Sequence, residues 1–135
     1  MNKLPPTAFL DSSYIVRYLT ENQPEMAAIA AAIIDSDRPL IISEIVLTET
    51  AYVLVSVYKI SRSTVVDALM ALVQRHNIRL LHLPKTRVLE AMMLCRESNR
   101  HSFVDALLWA EALQSDAPRL FTFDKRFPSE GLELL

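Results

Sequence analysis

Short apolar runs alternate along this chain with longer stretches whose apolar residues recur every three or four positions. Strands bury short runs and helices bury one face of longer ones, so the alternation predicts an α/β fold with a mostly parallel sheet. The first strand is expected over Thr7 to Leu10, with Asp11 or Ser12 capping a helix that reaches about Leu19. Pro24 opens a second helix, MAAIAAAII, which Asp35 to Pro39 ends. Leu40 to Ile42 reads as a short buried strand. Ser43 then caps the helix EIVLTETAYVLVSVYK, apolar on nearly every face and therefore expected to be buried. Ser61 to His76 is amphipathic, Ile78 to Leu83 is a third strand, and Pro84 leads into a helix running to about Glu97. After the turn Ser-Asn-Arg-His, Ser102 caps the helix FVDALLWAEALQ. A fourth strand follows at Arg119 to Thr122, then a loop from Asp124 to Ser129 and a last short strand at Leu132 to Leu134.

Composition narrows the class. A chain of 135 residues fits one domain, and 51% hydrophobic residues with a single glycine describe a packed, helix-rich scaffold. The net charge of −2 carries no basic stripe of the kind that drives electrostatic nucleic-acid binding. Cys95 stands alone, which removes a disulfide and any cysteine-based zinc cluster and suits a reducing compartment. His76, His82 and His101 lack metal-ligand spacing. MNKLPPTAFLDSS has no apolar stretch fit for a signal peptide, and no segment reaches about 18 uncharged apolar residues. The expectation is a soluble, cytoplasmic protein.

Four acids interrupt hydrophobic stretches: Asp11 in FLDSSYIV, Glu49 in VLTETAYVLV, Asp105 in FVDALLWA and Asp124 in LFTFDKRF. A carboxylate withdrawn from water costs several kcal/mol unless it is paired, protonated or bound to a cation. Each also has a plainer reading. Asp11 stands where an N-cap would, Asp105 completes an S-x-x-D capping box with Ser102, and Asp124 suits an Asx-turn before Lys125 and Arg126. Glu49 falls mid-helix on one stripe with Ile45 and Tyr52, so it caps nothing, and its plain reading is a buried salt bridge. Glu44 lies about 140° around the helix from Glu49 and reads as a first-turn acid favoured by the helix dipole.

In open α/β sheets ligands gather beyond the carboxyl ends of the strands, where these acids can meet. Carboxylates with little lysine or arginine beside them suit a hard divalent cation, Mg²⁺ or Mn²⁺, and the usual substrate of such a site is a phosphate ester.

These segments resemble the motifs of the PIN-domain family. AFLDSSYIVRYL is similar to its opening strand, Asp, Ser/Thr and helix. ISEIVLTETAYVL resembles the second acidic motif, SFVDALLWAEA the third, and LFTFDKRF the fourth, T-x-D-x-x-F, in order over essentially the whole chain. The resemblance implies a three-layer α/β/α fold with a central parallel sheet of about five strands. It implies metal-dependent hydrolysis of RNA phosphodiesters that leaves a 5′-phosphate, with Asp11, Glu49, Asp105 and Asp124 holding one or two Mg²⁺ or Mn²⁺ ions. Ser13 takes the hydroxyl position of the first motif, and Thr122 is placed to orient a carboxylate. Arg100, Lys125 and Arg126 are candidates for phosphate contact, against the plainer reading of a solvated surface.

Stand-alone PIN domains of this length resemble VapC toxins, whose partner is a small VapB-like antitoxin. The apolar helices at Pro24 to Ile34 and Ile45 to Tyr58 offer surfaces for such a partner or for a homodimer, beside their part in the core. The alternatives are a PIN nuclease of RNA processing, a non-catalytic PIN scaffold binding RNA or protein, and a structural α/β module whose acids are caps. A haloacid-dehalogenase-like enzyme normally wants D-x-D, and position 13 is serine. No P-loop, G-x-S-x-G or dinucleotide turn exists, since the only glycine is Gly131.

Overall fold

Leu40, Ile41 and Ile42 are all buried, which requires both faces of the sheet to be covered at that strand. In this computed structural model, which describes residues 5–96 and 99–135, they form β2 (Leu40–Ile42). This strand is the middle of a parallel sheet in the order β1–β2–β3, with β1 at Ala8–Phe9 and β3 at Ile78–Leu80. Ala8 aligns with Leu40, and Leu40 with Ile78. The helices are α1 (Ser12–Thr20), α2 (Pro24–Ile34), α3 (Glu44–Ser56), α4 (Arg62–Val73), α5 (Lys85–Arg96) and α6 (Phe103–Gln114). The chain is an α/β protein, as its alternating pattern predicts.

β4 (Arg119–Leu120) and β5 (Glu133–Leu134) pair in parallel as a second, two-stranded sheet. The five expected strands are thus present and parallel, but they fall into groups of three and two. No backbone hydrogen bond joins the two groups among the described residues. Phe9, Phe121 and Phe123, in or just beyond these strands, are 60%, 85% and 106% exposed.

α2 packs on α1, α3 touches α1, α4 and α6, and α5 lies against both α4 and α6. Ile15, Ile34, Leu47, Leu54, Leu69 and Met92 sit fully buried where these elements meet. Asn77, also buried, donates from Nδ2 to the carbonyls of Ile34 and Arg38, fastening the α2–β2 connection to the start of β3. Phe127 is buried against the main core, and the Trp109 indole N–H donates to the Glu130 carbonyl at 2.8 Å, so the second sheet is held to α6.

Several expectations change. α3 is not buried all round: Leu47, Ala51 and Leu54 face the core, while Ile45, Tyr52 and Val57 remain exposed. It also stops at Ser56 rather than Lys59. Lys59 takes a left-handed conformation, φ 58°, and the Ile60 N–H turns back to the Leu54 carbonyl. β3 ends at Leu80: the Leu81 N–H still donates to the Ile42 carbonyl, but those of His82 and Leu83 turn to the Glu44 side chain. The expected end of α5 near Glu97, the Ser98 that opens the next turn, and the lysine at position 3 lie outside the described residues. Among the described residues no helix is long and apolar enough to cross a membrane.

Candidate active site

Asp11 follows β1 directly and precedes α1, so the local sequence places it at the carboxyl edge of the sheet. Its backbone has N-cap geometry, φ −88° and ψ 158°, but its side chain makes no capping bond. The carboxylate instead accepts the Ser13 hydroxyl at 2.8 Å on Oδ2. That hydroxyl, followed by the Ser12 backbone N–H, holds the Asp11 carboxyl below its ordinary range. Asp11 is thus the N-cap residue of α1 by position and backbone, while its carboxylate is positioned by Ser13 rather than by a capping bond.

The sign of this effect gives a test. A depressed carboxyl pKa keeps the charge as pH falls, and the charge is lost only as pH drops through the lowered value. Ser13→Ala is expected to move the Asp11 titration upward, toward the ordinary carboxyl value. The side-chain carboxyl ¹³C shift of Asp11 measures it, and an unmoved midpoint would show that Ser13 does not tune this acid.

Glu49 lies in the middle of α3 and is exposed, with no salt bridge among the described residues. The expected burial of this acid, and with it the buried-salt-bridge reading, is corrected. Ile45 and Tyr52, on its stripe, are exposed too. Since α3 packs against both α1 and α6, the helix bearing Glu49 runs between the helix that Asp11 precedes and the one whose first turn holds Asp105.

Asp105 is half-buried. Ser102 Oγ accepts the Asp105 backbone N–H at 3.0 Å, so half of the expected capping box forms. The returning bond is not made: the Asp105 carboxylate accepts no hydrogen bond among the described residues. Ser43, also expected to cap, occupies the N-cap position of α3 without a side-chain bond.

Asp124 forms the Asx-turn that its sequence suggests, accepting the Arg126 N–H at 2.8 Å on Oδ1. Thr122 Oγ1 accepts the Asp124 backbone N–H at 3.0 Å, so this hydroxyl shapes the turn rather than touching the carboxylate. Arg100, Lys125 and Arg126 are all exposed. Cys95 is buried, and desolvation pushes its thiol up to about 11, which leaves little thiolate for nucleophilic chemistry.

The donors are hard oxygens, and three of the four acids are open to solvent. In type they fit a divalent cation of the Mg²⁺ or Mn²⁺ kind. They come from four separate elements, however, and among the described residues no three acid, histidine or cysteine side chains stand together as a ligand set. Asp11 and Asp124 follow β1 and β4, which belong to the two separate sheets.

Among the described residues the buried acid is Glu44, which the sequence presents only as a first-turn residue. It is 6% exposed, and Oε2 accepts the His82 and Leu83 N–H groups at 2.8 and 2.6 Å. No local signal marks it, because its partners lie 38 and 39 residues away.

No curated protein matches this chain. A family model for the PIN domain matches residues 8–129, a span that takes in all four acids, every helix and the first four strands. PIN domains are generally nucleases and typically use divalent metal ions. With its motifs in order and its parallel α/β scaffold in place, this chain belongs to the PIN-domain family.

Proposed function

We propose that this chain is a metal-dependent endoribonuclease and the toxin half of a VapBC-type pair. The observation that carries the reading is Asp11, an exposed carboxylate at the carboxyl end of β1, oriented and kept charged by Ser13. An acid held this way is suited to a cation, and its side chain makes no capping hydrogen bond.

Asp11, Glu49, Asp105 and Asp124 would hold Mg²⁺ or Mn²⁺. Bound there, the ion neutralises phosphate oxygens and lowers the pKa of a nearby water. The chain's own residues position the substrate: Arg100, Lys125 and Arg126 lie on the exposed surface around the turn before α6 and the loop after β4, where they can meet backbone phosphates. Water attacks phosphorus in line, the P–O3′ bond breaks, and the proton lost by the water ends on the 3′-oxygen, leaving a 5′-phosphate.

The toxin assignment rests on the compact PIN scaffold and on apolar side chains left open, Met26 and Ile29 on α2 and Ile45 and Tyr52 on α3. Such surfaces suit a small VapB-like antitoxin or a second copy.

The test is incubation of the purified chain with a pool of structured RNAs in Mn²⁺, in Mg²⁺ and in EDTA. Cleavage is expected with either ion, with 5′-phosphate ends, and none in EDTA. Cutting that persists in EDTA ends the metal-site reading. Co-expression with the product of an adjacent short reading frame tests the toxin role, which fails if that product neither binds the chain nor suppresses cleavage.

A further inference from the structure

Glu44 has a second oxygen. Oε2 is used by the backbone N–H groups of His82 and Leu83, but Oε1 is buried and accepts no hydrogen bond among the described residues. His82 Nδ1 lies 3.3 Å from it without hydrogen-bond geometry, an ion pair only when that imidazole is protonated, on a side chain that is 68% exposed. A buried acceptor left without a donor is destabilising, and a charged one more so. A donor arriving from outside removes that cost.

The surroundings say which donor. Glu44 and His82 line a cleft of about 650 Å³ between α3 and α6, together with Glu111. No lysine or arginine is among the residues that line it. Its apolar walls include Ile45, Val104 and Leu108, which are 73%, 60% and 39% exposed. Two carboxylates repel a phosphate, so the cleft is no place for RNA. A hydrated metal ion suits the acids but gains nothing from the walls. An alkyl stem ending in a guanidinium matches both, since its methylenes cover apolar surface while its fork of N–H donors reaches the carboxylates.

The cleft also continues. Thr48 and Val104 line a second hollow along the same two helices, beside the exposed Tyr52 and beside Arg62, whose guanidinium is already engaged by the His101 carbonyl. A groove of that length suits a polypeptide better than a free small cation.

We propose that the α3–α6 groove receives an arginine side chain of a partner protein. The guanidinium hydrogen-bonds to Glu44 Oε1 and pairs with Glu111, its stem lies on Ile45, Val104 and Leu108, and the exposed His82 ring turns aside to admit it. None of these residues belongs to the four-acid site, so the inference stands whether or not the nuclease reading does.

The test titrates acetyl-arginine amide, and acetyl-citrulline amide as its neutral isostere, into the ¹⁵N-labelled full chain. The His82 and Leu83 amides are the reporters, because both donate to Glu44. Both are expected to shift saturably with arginine and not with citrulline. Glu44→Gln keeps an oxygen for the two backbone donors but replaces Oε1 with an NH₂ group, and is expected to weaken arginine binding about tenfold or more. Glu111→Gln, at an exposed position, is expected to weaken it several-fold.

An equal response to citrulline, no response to arginine, or a folded Glu44→Gln variant with unchanged affinity would overturn the proposal. If Glu44→Gln loses its dispersed spectrum, Glu111→Gln decides alone, and unchanged affinity there overturns it. Perturbation of the same amides by Mn²⁺ in place of arginine would assign the cleft to a metal instead. Conversion of a dimer to a monomer by Glu111→Gln, followed by sedimentation, would assign it to a second copy of this chain. Either result overturns the partner arginine.

Discussion

Asp11→Asn is expected to lower Mn²⁺- or Mg²⁺-dependent RNA cleavage by about 10²–10³-fold, the scale of losing one preorganised electrostatic group in an active site. The substitution separates chemistry from folding. Asp11 is exposed, and its carboxylate makes no helix cap. Asparagine keeps the shape and an acceptor for the Ser13 hydroxyl, so the unfolding midpoint should move by no more than about 0.5 kcal/mol. What is lost is the negative charge that attracts a cation. Asp105→Asn is the companion variant, because the Ser102 cap uses the backbone N–H of residue 105 and survives the change. Both are measured as cleavage rates against Mn²⁺ concentration, beside a thermal melt. Full activity in both variants would remove these acids from the mechanism. Loss of activity together with loss of stability would make them structural instead.

Trp109→Ala is expected to be among the most destabilising single substitutions in the chain, costing about 3–5 kcal/mol. Trp109 is 4% exposed, and its indole N–H makes the bond to Glu130 that holds the β5 side of the second sheet to α6. The truncation opens a cavity and strands the Glu130 carbonyl. With domain stabilities of about 5–15 kcal/mol, a loss of this size takes away a large fraction of the total. Urea denaturation followed by far-UV circular dichroism measures it, and a cost below about 1 kcal/mol would mean that the second sheet is not anchored through this residue. Trp109→Phe retains most of the volume and is expected to cost about 1 kcal/mol, the scale of one hydrogen bond. Because Asp124 rides on the same segment, the alanine variant should lose more activity than its unfolded fraction accounts for.

The same segment shows where sequence patterning stops. Runs of alternating and continuous hydrophobicity located all five strands, since burial of short apolar stretches is a local property. Whether β4 lies beside β1 depends on contacts between residues about 110 positions apart. Here the strands form two parallel groups, with Phe9, Phe121 and Phe123 open to solvent. No periodicity along a strand reports which edge it will present or to what. The end of α3 escaped for a different reason. Helices commonly stop at a left-handed glycine, and in a chain with one glycine that position is filled by Lys59, so the stop signal was absent.

The four acids divide along the same line. Their identity, their order and their placement after strands or in helices are written in the sequence, because caps, turns and helix registers are set within a few residues. That was enough to bring out the PIN resemblance, and to expect the Asp124 turn and the Ser102 cap that the structure contains. Their environments were decided by tertiary packing. Glu49 is open to solvent where its apolar neighbours suggested burial, and the Asp11 carboxylate, at the N-cap of α1, is held by Ser13 instead of making a capping bond. Glu44, which looks from the sequence like an ordinary first-turn acid, is a carboxylate that the fold encloses. Burial of a side chain depends on what the rest of the chain lays over it, and over Glu44 the fold lays the backbone of His82 and Leu83.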